Sequence, residues 1–161
     1  MGWKLGLLTM ACDILKCVIA VVIMRAVYAS SDIVLLLGFW TAAGVVLGHD
    51  FPAYLGFKGG KGIAATAGMI IAFWDLRLIA IGVAFFFIPV LVTRFVSLGS
   101  LCLSTSFLIG IIISGQMGVY GLPQNVLNEM YILAAVLTAL AFWLHRANIV
   151  RLATGTERKL F

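Results

Sequence analysis

Six apolar stretches, cut apart by short polar turns, constrain this chain more than any other feature. They run Leu5–Tyr28, Ile33–Gly48, Ile63–Trp74, Leu78–Val92, Leu98–Ser114 and Val126–Leu144. A helix that crosses a membrane needs about 20 apolar residues, with a range of about 17 to 25. The first and last stretches meet that length, and the second and fifth do so with flanking residues. The third and fourth are short, which predicts partial spans or helices whose ends line a cavity. None alternates polar with apolar residues as a membrane β-barrel strand does. The expected fold is therefore all-α, a bundle of about six transmembrane or partly spanning helices. One membrane domain covers residues 1–161, with no repeat or linker. Only 11% of residues are charged, against about 25% in soluble domains, so lipid must cover most of the surface.

The net charge is +5, but the basic residues sit between apolar stretches rather than in a stripe. That placement speaks for membrane topology and anion ligands, and against nucleic acid. Arg146, Arg151, Arg158 and Lys159 follow the last stretch, so the C-terminus is expected in the cytoplasm. Counting back puts Ala29–Asp32, Asp75–Arg77 and Gly115–Asn125 outside. His49, Lys58, Lys61, Arg94, His145 and Arg146 then share the inner side. Cys12, Cys17 and Cys102 are odd in number, lack CxxC spacing and lie in apolar stretches, so they read as buried small hydrophobes. No metal or cofactor motif occurs.

Chemistry concentrates in "GHDFPAYLGFKGGKGIAATAGM", Gly48–Met69. Pro52 bars helix through its start. Gly59, Gly60 and Gly62 surround Lys61 just before the apolar run at Ile63, where free N–H groups and the helix dipole favour an anion. A glycine-rich turn with an interfacial lysine accounts equally well for these residues. The spacing is not that of a nucleotide P-loop. In "TRFVSLGS", Arg94 reads as a helix-end anchor, and Ser97 and Ser100 read as caps for a helix beginning near Leu98. His145, Asn148 and Arg151 are spaced three apart, so one helix face would carry imidazole, amide and guanidinium. A solvated basic tail is the simpler reading of that segment. Asp13 and Lys16, also three apart, are expected to pair within the first stretch.

"GHDFPAYLGFKGGKGIAA", "TRFVSLGS" and "HRANIVRLATGTE" occur in that order. Together they resemble the PlsY-type glycerol-3-phosphate acyltransferases, integral membrane enzymes of bacterial phospholipid synthesis. "DILK", Asp13–Lys16, also looks like the family's second helix. The resemblance implies acyl transfer from acyl phosphate to the 1-hydroxyl of glycerol 3-phosphate, giving lysophosphatidate and phosphate. It implies no cofactor, no metal and no obligate protein partner, with the site facing the cytoplasm across the inner membrane. Carried over by motif, Lys61, Ser97, His145 and Asn148 form the catalytic group. Gly59, Gly60, Gly62, Arg94 and Arg151 join Lys61 in holding phosphate, while His49, Pro52 and Lys58 organise the loop.

The family has seven helices and this chain offers six. The resemblance implies a further helix and a Gly/Ser/Asn-rich loop ahead of "MGWKLG", Met1–Gly6. On that expectation these 161 residues alone turn over weakly or not at all. The alternative is a catalytically impaired relative that only binds phosphate or lipid headgroups.

Overall fold

A computed structural model describes residues 2–161, and among them every regular element is helical. Seven α-helices follow in order: α1 Trp3–Val27, α2 Val34–Asp50, α3 Ile63–Ala72, α4 Leu76–Thr93, α5 Val96–Gln116, α6 Gln124–Leu144 and α7 Arg146–Ala153. Five of them (α1, α2, α4, α5 and α6) are long and apolar enough to cross a membrane. The all-α bundle agrees with the sequence expectation.

Two details differ from it. The fourth stretch forms a full-length helix of 18 residues. Asp75 caps its start, accepting the Arg77 N–H at 3.0 Å and the Leu78 N–H at 3.5 Å. Its end is set by Arg94, which takes the left-handed conformation at φ 66°. The third stretch stays short, because α3 has 10 residues and reaches only about 15 Å. The second difference concerns the caps. Helix α5 begins at Val96 with Phe95 at the cap position, so Ser97 and Ser100 lie inside the helix. Ser100 instead returns its hydroxyl to the Val96 carbonyl at 2.9 Å.

Small residues set the closest helix approaches. A Cβ on Gly68 of α3 would stand 2.5 Å from the Ile14 carbonyl of α1. One on Gly99 of α5 would stand 2.6 Å from the Phe86 carbonyl of α4. Close backbone approach is the usual means of tight helix association in lipid. At the centre, the Phe39 ring packs on Phe73 at 5.3 Å and on Phe107 at 5.9 Å. Met69, Ile111 and Met130 are fully buried around them. The outer faces are apolar instead of polar: Leu8, Leu15 and Ile23 of α1 and Phe87, Ile88 and Leu91 of α4 are all exposed. Surface of that kind belongs against lipid.

At one end of the bundle Arg25 reaches the Ala72 carbonyl at 3.1 Å. The other end gathers the turns after α2, after α4 and after α6. His49, Lys61, Ser97 and His145 come together there.

Replacing Gly68 by Leu would drive α1 and α3 apart. The expected result is a fall of several degrees in the unfolding midpoint of the detergent-solubilised protein, followed by near-ultraviolet circular dichroism. An unchanged midpoint would contradict the close α1–α3 approach.

Candidate active site

The site begins where α2 ends. The chain leaves Asp50, turns at Pro52, forms a short 3-10 turn over Ala53–Leu55 and returns through the glycines to α3. Two backbone bonds close this return: Gly59 N–H to the Asp50 carbonyl at 3.1 Å, and Gly60 N–H to the His49 carbonyl at 3.2 Å. The turn is packed too tightly for side chains. A Cβ on Gly59 would lie 2.1 Å from the His49 carbonyl oxygen, and one on Gly60 would lie 2.1 Å from His49 Nε2. Gly62 has φ +70° and faces the buried carboxyl of Asp50, whose Oδ1 has no hydrogen-bond partner among the described residues.

This corrects the role expected of two glycines. The Gly59 and Gly60 amides are occupied inside the loop, so they are spacers rather than phosphate donors. The free donors lie one step further on. The first bond into α3 runs from Thr66 N–H to the Gly62 carbonyl at 2.8 Å, which leaves the Ile63, Ala64 and Ala65 amides without helical partners.

A cavity of ≈ 390 Å³ opens at this end, bounded by His49, Lys61, Gly62, Ser97, His145 and Asn148, with Glu157 and Arg158 from the tail. Lys61 Nζ donates to the Asn148 side-chain oxygen. Glu157 folds back under the cavity and accepts from Ser97 at 2.9 Å, from Asn148 at 2.8 Å and from Arg151 at 2.7 Å. Outside the lining residues, Lys16 Nζ stands 2.8 Å from Asp13 and 2.8 Å from His49 Nδ1. The expected Asp13–Lys16 pair thus exists and reaches the cavity through His49.

Charge tunes these groups. Burial lowers the pKa of Lys61 and the nearby Arg151 adds to it, with Glu157 opposing. Burial also holds His145 below its ordinary value of 6.5, so its ring is neutral at pH 7. For Glu157, burial opposes ionisation, but bonds from Asn148, Arg151 and Ser97 outweigh it and keep the carboxyl below its usual range.

The structure gathers Lys61, Gly62, Ser97, His145 and Asn148, and it links Arg151 to them through Glu157. Arg94 is placed elsewhere. Its guanidinium lies over the Phe161 ring at 5.2 Å and its carbonyl accepts the Leu160 N–H at 2.8 Å. Arg94 therefore holds the tail at Leu160 and Phe161 instead of lining the cavity. The Pro52 carbonyl accepts the Leu55 and Phe57 amides at 3.0 Å each. The Lys58 side chain is exposed and does not line the cavity. Glu157 and Arg158 were not expected from the sequence. A signal existed, since Glu157 is the one acid after Leu144 in a basic tail.

A second cavity of ≈ 390 Å³ adjoins the first. Its walls are apolar, among them Met10, Ile14, Ile70, Phe86, Phe87 and Leu103. The two share Ile63, Ala64, Val96 and Ser100.

Comparison with known proteins decides the family. A profile described as "Glycerol-3-phosphate acyltransferase" matches residues 1–155. The chain belongs to that family. A glycerol-3-phosphate acyltransferase of Desulfotalea psychrophila is 37% identical over 159 residues, covering 98% of this chain and 75% of the relative. One of Clostridioides difficile is 36% identical, covering 99% and 73%. Among solved structures, the glycerol 3-phosphate form of PlsY, an integral membrane glycerol 3-phosphate acyltransferase, has a TM-score of 0.80 at 32% identity. That alignment covers 100% of this chain and 74% of PlsY. The lysophosphatidic acid form of PlsY has a TM-score of 0.77 at 32% identity, over 98% and 74%. This PlsY-type chain is thus a multi-pass membrane acyltransferase.

Glu157 contributes stability that is fully present above its ordinary carboxyl value of 4.5 and is lost as falling pH passes through its lower folded value. Replacing Glu157 by Gln is expected to cost about 2 kcal/mol, the scale of lost charged hydrogen bonds. The same change should flatten the loss of thermal stability on the acid side. Equal acid slopes in the two proteins, measured by thermal unfolding in detergent, would refute this.

Proposed function

We propose that this chain transfers a fatty acyl group from acyl phosphate to the 1-hydroxyl of glycerol 3-phosphate, releasing lysophosphatidate and inorganic phosphate. One observation carries the reading: a cationic, amide-rich cavity shares a wall with an apolar one of equal size. A donor with a phosphate head and a hydrocarbon tail fits across that boundary. The solved PlsY relatives, in glycerol 3-phosphate and lysophosphatidic acid forms, support the choice of acceptor and product.

In this reading the phosphates rest on Lys61 and the free amides of α3, with Arg151 and Arg158 adding positive charge. Ser97, His145 and Asn148 orient the glycerol moiety. The acceptor hydroxyl attacks the acyl carbon, the new C–O bond forms, the bond to phosphate breaks with phosphate as leaving group, and the hydroxyl proton ends on the departing phosphate. Holding both reactants in place is worth about 7 to 11 kcal/mol of barrier. Fixed donors around the developing oxyanion and the departing phosphate supply the remainder. Residues 1–161 act as one membrane domain in the bacterial inner membrane. The cavity and the C-terminus face the cytoplasm, as the basic tail directs.

The test uses purified protein in lipid vesicles with acyl phosphate and glycerol 3-phosphate, following lysophosphatidate and phosphate together. Replacing Lys61 or His145 by Ala should lower kcat/KM about a hundredfold or more. Formation of product from an acyl thioester but not from acyl phosphate would overturn the donor assignment. With His145 neutral in the working site, the rate should stay level from pH 8 down to 6.5, the ordinary imidazole value, and fall below it. A rate that falls steadily from pH 8 to 6.5 would contradict a neutral ring.

A further inference from the structure

The chain has two histidines, and both line the polar cavity. Their other contacts are chemically opposite. His49 Nδ1 lies 2.8 Å from Lys16 Nζ. An ammonium has donors only, so Nδ1 must accept, and a neutral ring then carries its proton on Nε2. That atom packs beside Gly60, and the ring that carries it lines the cavity. The ring of His145 is bound the other way. Its Nδ1 lies 2.7 Å from the Ala141 carbonyl oxygen. A carbonyl only accepts, so this Nδ1 bears the proton and Nε2 keeps its lone pair.

We propose that the two histidines are held in opposite neutral tautomers, His49 offering the cavity an N–H and His145 a lone pair. Lys16 is the positioning residue that makes the difference. Asp13 Oδ1 also stands near the His49 ring, 3.3 Å from Nδ1, as a competing acceptor. With Lys16 present, the three atoms form a triangle in which the ammonium stands 2.8 Å from each of the other two and donates to both. Without it, the His49 Nδ1 would take the proton and donate to Asp13. His145 is 3% exposed, and Lys61 nearby disfavours its charge while Glu157 favours it.

Resting on the acyl-transfer reading, the arrangement divides labour inside one cavity. His49 donates to a phosphate or carbonyl oxygen without adding charge. His145 accepts the hydrogen bond of the attacking hydroxyl and so aims its oxygen at the acyl carbon.

Histidine labelled with 15N, incorporated into the full chain in detergent micelles, reads the tautomers directly by nuclear magnetic resonance at pH 8. The wild type should show one ring protonated at Nε2 and one at Nδ1. A His145→Gln variant, which keeps only the first, assigns them. Lys16→Met should convert His49 to the Nδ1–H form and lower kcat/KM about tenfold, the scale of one hydrogen bond. Like tautomers in the wild type, or an unchanged His49 in Lys16→Met, would overturn the proposal. If Lys16→Met fails to fold, the wild-type spectrum alone decides. The activity assay is separate. Correct spectra with no acyl transfer would sink the acyl-transfer reading and leave the tautomers standing, whereas acyl transfer with like tautomers would sink only this proposal.

Discussion

Everything at the polar end depends on one junction, where the end of α2 meets the middle of α1 rather than its end. Lys16 sits 13 positions beyond Trp3, about 20 Å along the helix. Charged residues at that depth in an apolar helix are costly unless they face partners. Here the partner is His49, and through it the glycine turn. Irregular backbone at membrane depth is tolerated only where protein satisfies it. The Asp50 and His49 carbonyls meet that need by taking the Gly59 and Gly60 amides. The short α3 follows from the same junction, because its first turn starts beside that loop and leaves its amides facing the cavity.

A second organiser works from the opposite side. The Glu157 carboxylate draws together Ser97 from α5 and Asn148 and Arg151 from α7. Asn148 in turn receives Lys61. A single negative charge thus holds a cluster whose other members are cationic or neutral donors. Net positive charge remains toward the cavity, as a site for phosphate-bearing ligands needs.

Much of this was legible in the sequence, for definite reasons. Uninterrupted apolar stretches mark the six helices α1–α6 and their lipid exposure, though not the short α7, and spacing by three predicted the Asp13–Lys16 pair. Alternation of the turns predicted that His49, Lys61 and His145 share one side of the membrane, and the fold brings them to one cavity. Other features depended on tertiary geometry. Asp75 ahead of Leu76 extended a stretch that looked short. Arg94 and Arg158 both read as basic residues at the end of an apolar stretch or in the tail after one, and only the fold shows that the first packs on Phe161 while the second reaches the cavity. The glycines misled for a related reason: a sequence shows that a position needs Gly, but not whether a ligand or a neighbouring side chain demands it.

That last distinction changes how mutational data on such loops are to be interpreted. At Gly59 and Gly60 even a methyl group collides with the preceding histidine, so an inactive alanine variant would report a crushed scaffold and say nothing about what the loop grasps. Affinity is better probed by altering the reactants, trimming a phosphate oxygen or a hydroxyl, while the polypeptide is left intact.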